Sequence, residues 1–463
     1  MSHHINLPTA ALGAPADLSA RTTRRQILRQ ASALVGAASL APLAGAQTAP
    51  DYRALVCIFM LGGNDGHNTV VPLSAAPYNA YKAIRGGLAL PDGNTALLPV
   101  TTPGGVSFGL NSGLAAIAPL WATGQLAALA NVGMLARPTT RAQYLAGSVP
   151  LPTNLFSHSD QIQAMQTGIS SGSGGTGWAG RSADAVQSRN GTSRFPASIS
   201  MAGSALFCAG ATVPSASLIP GFDLTGDGMS AWPDSAVAAK RNALAQILAM
   251  DSGMALVQAA NKVRQDALSL NALLSGAGTG GNLATVFPGT PLGQQLKQVA
   301  KIIQLRASTG MARQVFFCSI GGFDTHSSQS WAQWDLLRNV GEAMAAFYAA
   351  TNELGVANQV TSFTMSDFGR SLQPSGSGTD HGWGSHHLIL GGAVRGGNLY
   401  GSMPMPALGG PDDAGNRGVL IPTTSLDQYG ATLARWFGVP AAAMPTVFPN
   451  LAYFGAQDLG FMA

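Results

Sequence analysis

Five runs of strand length contain no Asp, Glu, Lys or Arg: residues 54–60 (ALVCIFM), 126–132, 314–320 (QVFFCSI), 360–365 and 387–390. Continuous apolar runs, as opposed to alternating ones, predict strands buried on both faces, as in a parallel sheet. Between them lie stretches with helical spacing at 114–121, 158–167, 178–186, 235–273, 292–306, 331–354 and 426–437. Residues 195–206 alternate as strands of an insertion or side sheet would. Alternating helix and strand along most of the chain predicts an α/β fold, doubly wound, with a mostly parallel sheet and helices on both faces. Residues 371–380 hold Gly, Ser and Pro without apolar periodicity and read as a surface loop. No internal repeat is visible. A single domain over residues 47–463 is expected, with a helical and strand insertion at about 187–290.

The N-terminus adds a targeting layer. Arg24-Arg25 precedes Ile27 and Leu28, a modestly apolar stretch runs over 31–43, and Ala44-Gly45-Ala46 offers a small-residue cleavage site. That order is the pattern of a twin-arginine signal peptide over residues 1–46. The stretch is too short and too rich in Ala and Gly to span a bilayer, which needs about 20 strongly apolar residues. A protein exported folded by the twin-arginine translocation machinery to the periplasm or beyond is expected, with no transmembrane segment in the mature chain.

Removing that segment takes four of the 25 basic residues and one of the 21 acidic ones, leaving a nearly neutral chain of 21 and 20. The high isoelectric point therefore belongs largely to the signal. No Lys/Arg cluster of the kind that follows a phosphate backbone remains, which sets nucleic acid aside. With 46% hydrophobic and 10% charged residues the chain supports a large core. Cys57, Cys208 and Cys318 are odd in number, and Cys57 and Cys318 sit in apolar runs, so they read as buried hydrophobes and not as a disulfide framework.

Chemistry gathers where the runs end. After residue 60 comes Gly62-Gly63-Asn64-Asp65-Gly66-His67-Asn68, in which Asp65 and Asn68 offer oxygen ligands, or else shape a tight turn. After residue 320 comes Gly321-Gly322-Phe323-Asp324-Thr325-His326; in extended chain Asp324 and His326 point the same way and reach one ion together. After residue 365 come Asp367 and Arg370, followed by Asp380, His381, His386 and His387. Ligands of open α/β sheets bind off carboxyl strand ends, which places a site here. Ser157 or Ser159 begins the 158–167 helix, where unpaired N–H groups favour an anion or a hydroxyl nucleophile, although helix capping alone accounts for a Ser there.

The segments GGNDGHNTVVP (62–72), SHSDQ (157–161), TGWAGR (176–181), GGFDTHSSQ (321–329), SDFGR (366–370) and TDHGWGSHH (379–387) closely resemble the exported domain-of-unknown-function family fifteen-oh-one. The resemblance runs over nearly the whole mature chain. That family in turn looks like a member of the alkaline phosphatase and sulfatase superfamily. The resemblance implies an ordered set of site residues: Asp65 with Asn68, Ser157 as nucleophile, Asp324 with His326, Asp367, and His381. Three departures stand out. Asp367 is followed by Phe368, which cannot bind metal; Asp324 and His326 are spaced Asp-x-His; and no Cys-x-Pro-x-Arg signature surrounds Ser157. One metal, an altered metal pair or loss of catalysis all fit this pattern.

Together these features lead to an exported metal-dependent hydrolase of phosphate or sulfate esters acting on a small-molecule or glycan ester. Asp65, Asn68, Asp324, His326, Asp367, Asp380 and His381 are the expected metal ligands. Zinc suits the nitrogen and oxygen mix, and Mg, Mn or Ca would also be accommodated. Ser157 is the expected nucleophile. Arg370, or the N–H groups at the helix start near His158, would bind the transferred group, and His386 or His387 would protonate the leaving group. The competing reading is a non-catalytic envelope or surface protein, with an ion site closed to water.

Overall fold

The computed structural model describes residues 51–463 except 94, 194, 221–232, 251–252, 256, 259, 262–263, 266–267 and 269–281. The expected signal peptide over residues 1–46 lies outside the described residues. So does part of the expected 187–290 insertion.

Fourteen strands are described: β1 (Arg53–Met60), β2 (Val70–Pro72), β3 (Leu97–Thr101), β4 (Ser107–Asn111), β5 (Leu126–Gly133), β6 (Ser198–Ser200), β7 (Ser215–Ser217), β8 (Arg313–Ile320), β9 (Val360–Ser366), β10 (Arg370–Ser375), β11 (Gly378–His381), β12 (Ser385–Gly391), β13 (Leu399–Tyr400) and β14 (Thr424–Ser425). The main sheet runs β13-β5-β12-β9-β1-β8-β6-β7, with β14 also on β5. Its pairings are parallel except where β12 meets β5 and β9. The fold is α/β with a mostly parallel central sheet. The apolar runs read from the sequence are its central strands, and β1, β5, β9 and β12 are almost entirely buried because helices cover them. Helices Pro291–Gln304 and Gln329–Glu353 pack on each other, whereas His158–Thr167, Trp178–Ala185 and Leu426–Phe437 form a second layer. Within the expected insertion, β6 and β7 simply extend the main sheet beyond β8.

Register decides where the site lies. Met60 at the end of β1 pairs with Ile320 at the end of β8 and with Ser366 at the end of β9. Three loops, beginning at residues 61, 321 and 367, therefore leave one edge of the sheet side by side. Because β12 runs antiparallel, its first residue, Ser385, pairs with Val132 near the end of β5, and residues 381–384 arrive at that same edge.

Two expectations change. The 371–380 segment is no loop: β10 and β11 form an antiparallel hairpin turning at Gly376, with φ of +67°. The helix expected over 114–121 shrinks to Pro119–Ala122 after a turn at Ser112–Leu114. The three cysteines are free and buried. Among the described residues no helix is long and apolar enough to cross a membrane.

Candidate metal centre

Gly62 and Gly63 leave β1 with φ of +114° and +83°, a region open to Gly at little cost. That conformation turns both N–H groups onto the Asp367 carboxylate, Gly63 at 2.6 Å from Oδ1 and Gly62 at 3.1 Å. A Cβ on Gly62 would also stand 2.4 Å from the Asp324 nitrogen, so the β1 and β8 loops touch only because this residue is Gly.

The remaining oxygen of Asp367 reaches His158 at the start of the His158–Thr167 helix, with Oδ2 2.6 Å from Nδ1. A carboxylate only accepts, so Nδ1 carries the proton and Nε2 presents a lone pair. Nε2 is buried without a hydrogen-bond partner, 3.4 Å from Asp324 Oδ2. His381 repeats the device. Its Nδ1 lies 2.8 Å from the Phe156 carbonyl, which fixes the proton there and turns Nε2 inward, 3.3 Å from Asp324 Oδ1. The Phe368 ring backs both imidazoles, with centroids 4.7 Å from His158 and 4.8 Å from His381.

Donor atoms of His158, Asp324 and His381 all lie within 4.8 Å of one another. Ligands about 2.0–2.1 Å from a tetrahedral ion stand roughly 3.3 Å apart. The 3.4 Å separation of His158 Nε2 from Oδ2 matches that edge, and His381 Nε2 lies 3.3 Å from the other oxygen, Oδ1. Two imidazole lone pairs aimed at one carboxylate, each set by an acceptor behind the ring, are the arrangement a divalent cation requires. His326 joins at the rim, its Nε2 2.9 Å from Asp324 Oδ1 and 3.1 Å from His381 Nε2. The side chains of His158, Asp324, His326 and His381 are between 25% and 48% exposed, so the cluster opens to solvent.

Charge around the cluster is arranged. Burial raises the Asp324 pKa, but Arg370, His326 and His158 outweigh it and hold the carboxyl below its usual range. The hydrogen bond that His158 donates to Asp367 raises the His158 pKa against the effect of burial, so a proton competes with a cation for this ligand.

Several expected ligands serve as support instead. Asp65 is fully buried against the Arg85 guanidinium and accepts from Gln329, which neutralises it away from the cluster. Asn68 Oδ1 accepts from the Tyr81 hydroxyl at 2.7 Å and from Arg85 at 3.2 Å. Asp367 is filled by Gly62, Gly63 and His158. Asp380 pairs with Arg417 at 2.6 Å and lies 3.6 Å from His326 Nδ1, beyond hydrogen-bond reach.

The expected catalytic groups are also redistributed. Arg370 donates to Asp324 at 2.6 Å, to the Gly62 carbonyl and to both Thr379 oxygens; its side chain is buried and orients Asp324, with four of its five N–H donors engaged within the protein. His386 accepts the Asn131 N–H at 2.9 Å, and His387 stacks on Tyr429 with neither ring nitrogen paired. Burial lowers both pKa values to about 3, so they stay neutral and cannot protonate a leaving group. Ser157 stands at the N-cap but its hydroxyl does not cap the helix; it lies 2.6 Å from Asp160 Oδ2. The expectation at His158 concerns the backbone N–H groups of the helix start, whereas its ring joins the donors. The signal was an imidazole directly after Ser157 at a helix start, read too narrowly as an anion site.

The chain belongs to a family described as "Protein of unknown function (DUF1501)", matched over residues 52–414. No curated protein matches. Solved structures resemble it distantly. The PsFucS1 sulfatase from Pseudoalteromonas sp. is 10% identical with a TM-score of 0.36, covering 96% of this chain and 76% of that one. The lipoteichoic acid synthase LtaP from Listeria monocytogenes is 5% identical with a TM-score of 0.33, covering 90% and 76%.

Proposed function

We propose that this protein is a metal-dependent hydrolase of phosphate or sulfate esters, exported behind its twin-arginine segment. The observation that carries the reading is the convergence of two acceptor-backed imidazoles and Asp324 at a solvent-open sheet edge. An ion site built only for structure is normally closed.

A divalent cation, zinc foremost for this donor set, would supply Lewis acidity and lower the pKa of a hydroxyl or water beside it. His158 Nε2, His381 Nε2 and Asp324 Oδ2 would hold it. Arg370 keeps Asp324 ionised and oriented by occupying Oδ1. Ser157 is the nucleophile in this reading, supported by its hydroxyl donating to Asp160 Oδ2 at 2.6 Å. The uncapped first turn of the His158–Thr167 helix offers positive potential to the oxygens of the transferred group. His326, at the rim with Nε2 2.9 Å from Asp324 Oδ1, would carry a proton on that nitrogen and deliver it to the leaving oxygen.

The test is turnover of aryl phosphates, aryl sulfates and phosphodiesters by purified mature protein. Activity should disappear with a chelator, return with zinc, and fall at least about a hundredfold in Asp324→Ala, since the lost ion is worth several kcal/mol of transition-state stabilisation. Turnover that persists in a chelator would refute the mechanism. A zinc-loaded protein inert on all three ester classes would favour the non-catalytic reading.

A further inference from the structure

A second cavity, of about 450 Å³, opens beside the centre and is lined in part by Ser328, Ser330, Trp331, Pro374 and Ser377. Its size falls in the range of small-molecule sites. One wall is aromatic: Trp331 is 69% exposed yet stacked on Trp334, with ring centroids 5.0 Å apart and an interplanar angle of 28°. Trp334 is itself pinned, its indole N–H donating to Ser112 Oγ at 3.1 Å. Trp331 is thus a flat apolar platform fixed on one face. An exposed Trp held this rigidly is expensive to display unless something covers it.

Charge narrows the occupant. Among the lining residues Arg85 alone is charged, and Asp65 neutralises it beneath the cavity. An anionic group gains little here. The serine side chains offer hydroxyls that both donate and accept. An apolar face with surrounding hydroxyls matches a sugar ring, whose C–H face stacks on an indole while its equatorial hydroxyls take the rim.

Position ties the cavity to the centre. Ser328 is two residues, at most about 7 Å of chain, from His326. On the other side, Ser377 adjoins Gly378, where a Cβ would stand 2.2 Å from the His326 carbonyl carbon. The cavity and the loop that carries Asp324 and His326 share this wall.

We infer that the Trp331 cavity is a carbohydrate subsite that seats a neutral sugar ring of the substrate while the ester on a neighbouring position enters the metal centre. As a substrate assignment it rests on the hydrolase reading above; as a sugar site it stands alone.

Calorimetric titration of the mature protein with chitin-, agar- and cellulose-derived hexasaccharides, and with sulfated hexasaccharides of the agar type, tests it. At least one should bind, with Trp331→Ala weakening it tenfold or more and Trp331→Phe keeping it within about threefold. Absence of binding by every hexasaccharide, or binding that survives Trp331→Ala, overturns the inference even if aryl esters are hydrolysed. Trp331-dependent sugar binding without ester turnover supports the sugar site and removes the hydrolase.

Discussion

Each imidazole of the centre has its proton held from behind, His158 by Asp367 and His381 by the Phe156 carbonyl. This single feature decides whether the inward nitrogen can bind a cation. Asp367→Asn keeps an acceptor for Gly62 and Gly63 but places an amide against His158 Nδ1, which favours the tautomer with Nε2 protonated. Zinc affinity should fall about 10- to 100-fold, as measured by chelator competition. Unchanged affinity would mean that Asp367 does not set the ring. The Asp324 and His326 pairing was legible from the sequence, since residues two apart in extended chain share a side. Asp65 was not, because the Arg85 that neutralises it lies 20 positions on and reaches it only through the tertiary fold. His386 and His387 misled for a related reason: a strand with neighbours on both sides buries successive residues alike, so period 2 does not separate site from core.

At the scale of elements, the β10–β11 hairpin presses its Gly378 against the loop that carries His326. A Cβ there would lie 2.3 Å from the Thr325 oxygen and 2.4 Å from that of His326, so backbone must move. Gly378→Ala should cost about 1–3 kcal/mol. It should lower the urea midpoint and reduce ester turnover by displacing His326. Gly415→Ala, with nothing within 4 Å of its Cβ position, is the matched control and should be nearly silent. Equal effects in both variants would refute the close approach. This hairpin escaped the sequence reading because Gln373, Pro374 and Ser375 carry no apolar alternation. The central strands were legible because burial on both faces leaves unbroken apolar runs. Register, which brings the three loops to one edge, is a property of pairing and is invisible in any one segment.

At the scale of the whole molecule, the described residues include three buried, neutral imidazoles, and these give stability a pH dependence. Burial lowers His67 to about 4, and His386 and His387 to about 3. A His whose folded pKa lies below the unfolded 6.5 contributes fully above pH 6.5 and loses that contribution as pH falls toward the folded value. At pH 5 each costs about 2 kcal/mol relative to neutral pH. Asp427 acts oppositely: burial raises it to about 7, so its contribution grows as pH falls from 7 toward 4. Asp427 offsets only about one of the three histidines, so these groups together still lose stability as pH falls from 7 to 5, and a variant isolates one of them. In His387→Phe the loss of stability between pH 7 and pH 5 should be about 2 kcal/mol smaller than in the parent, by urea titration. An identical loss would show that His387 is not neutral and buried.

The centre itself is tested most directly by anomalous diffraction at the zinc edge from crystals of the mature protein grown with zinc, beside Asp324→Ala crystals. The account predicts a peak about 2.0–2.2 Å from His158 Nε2, His381 Nε2 and an Asp324 oxygen in the parent, and none in the variant. A parent crystal with no peak there, or with zinc bound at Asp65 and Asn68 instead, would contradict it.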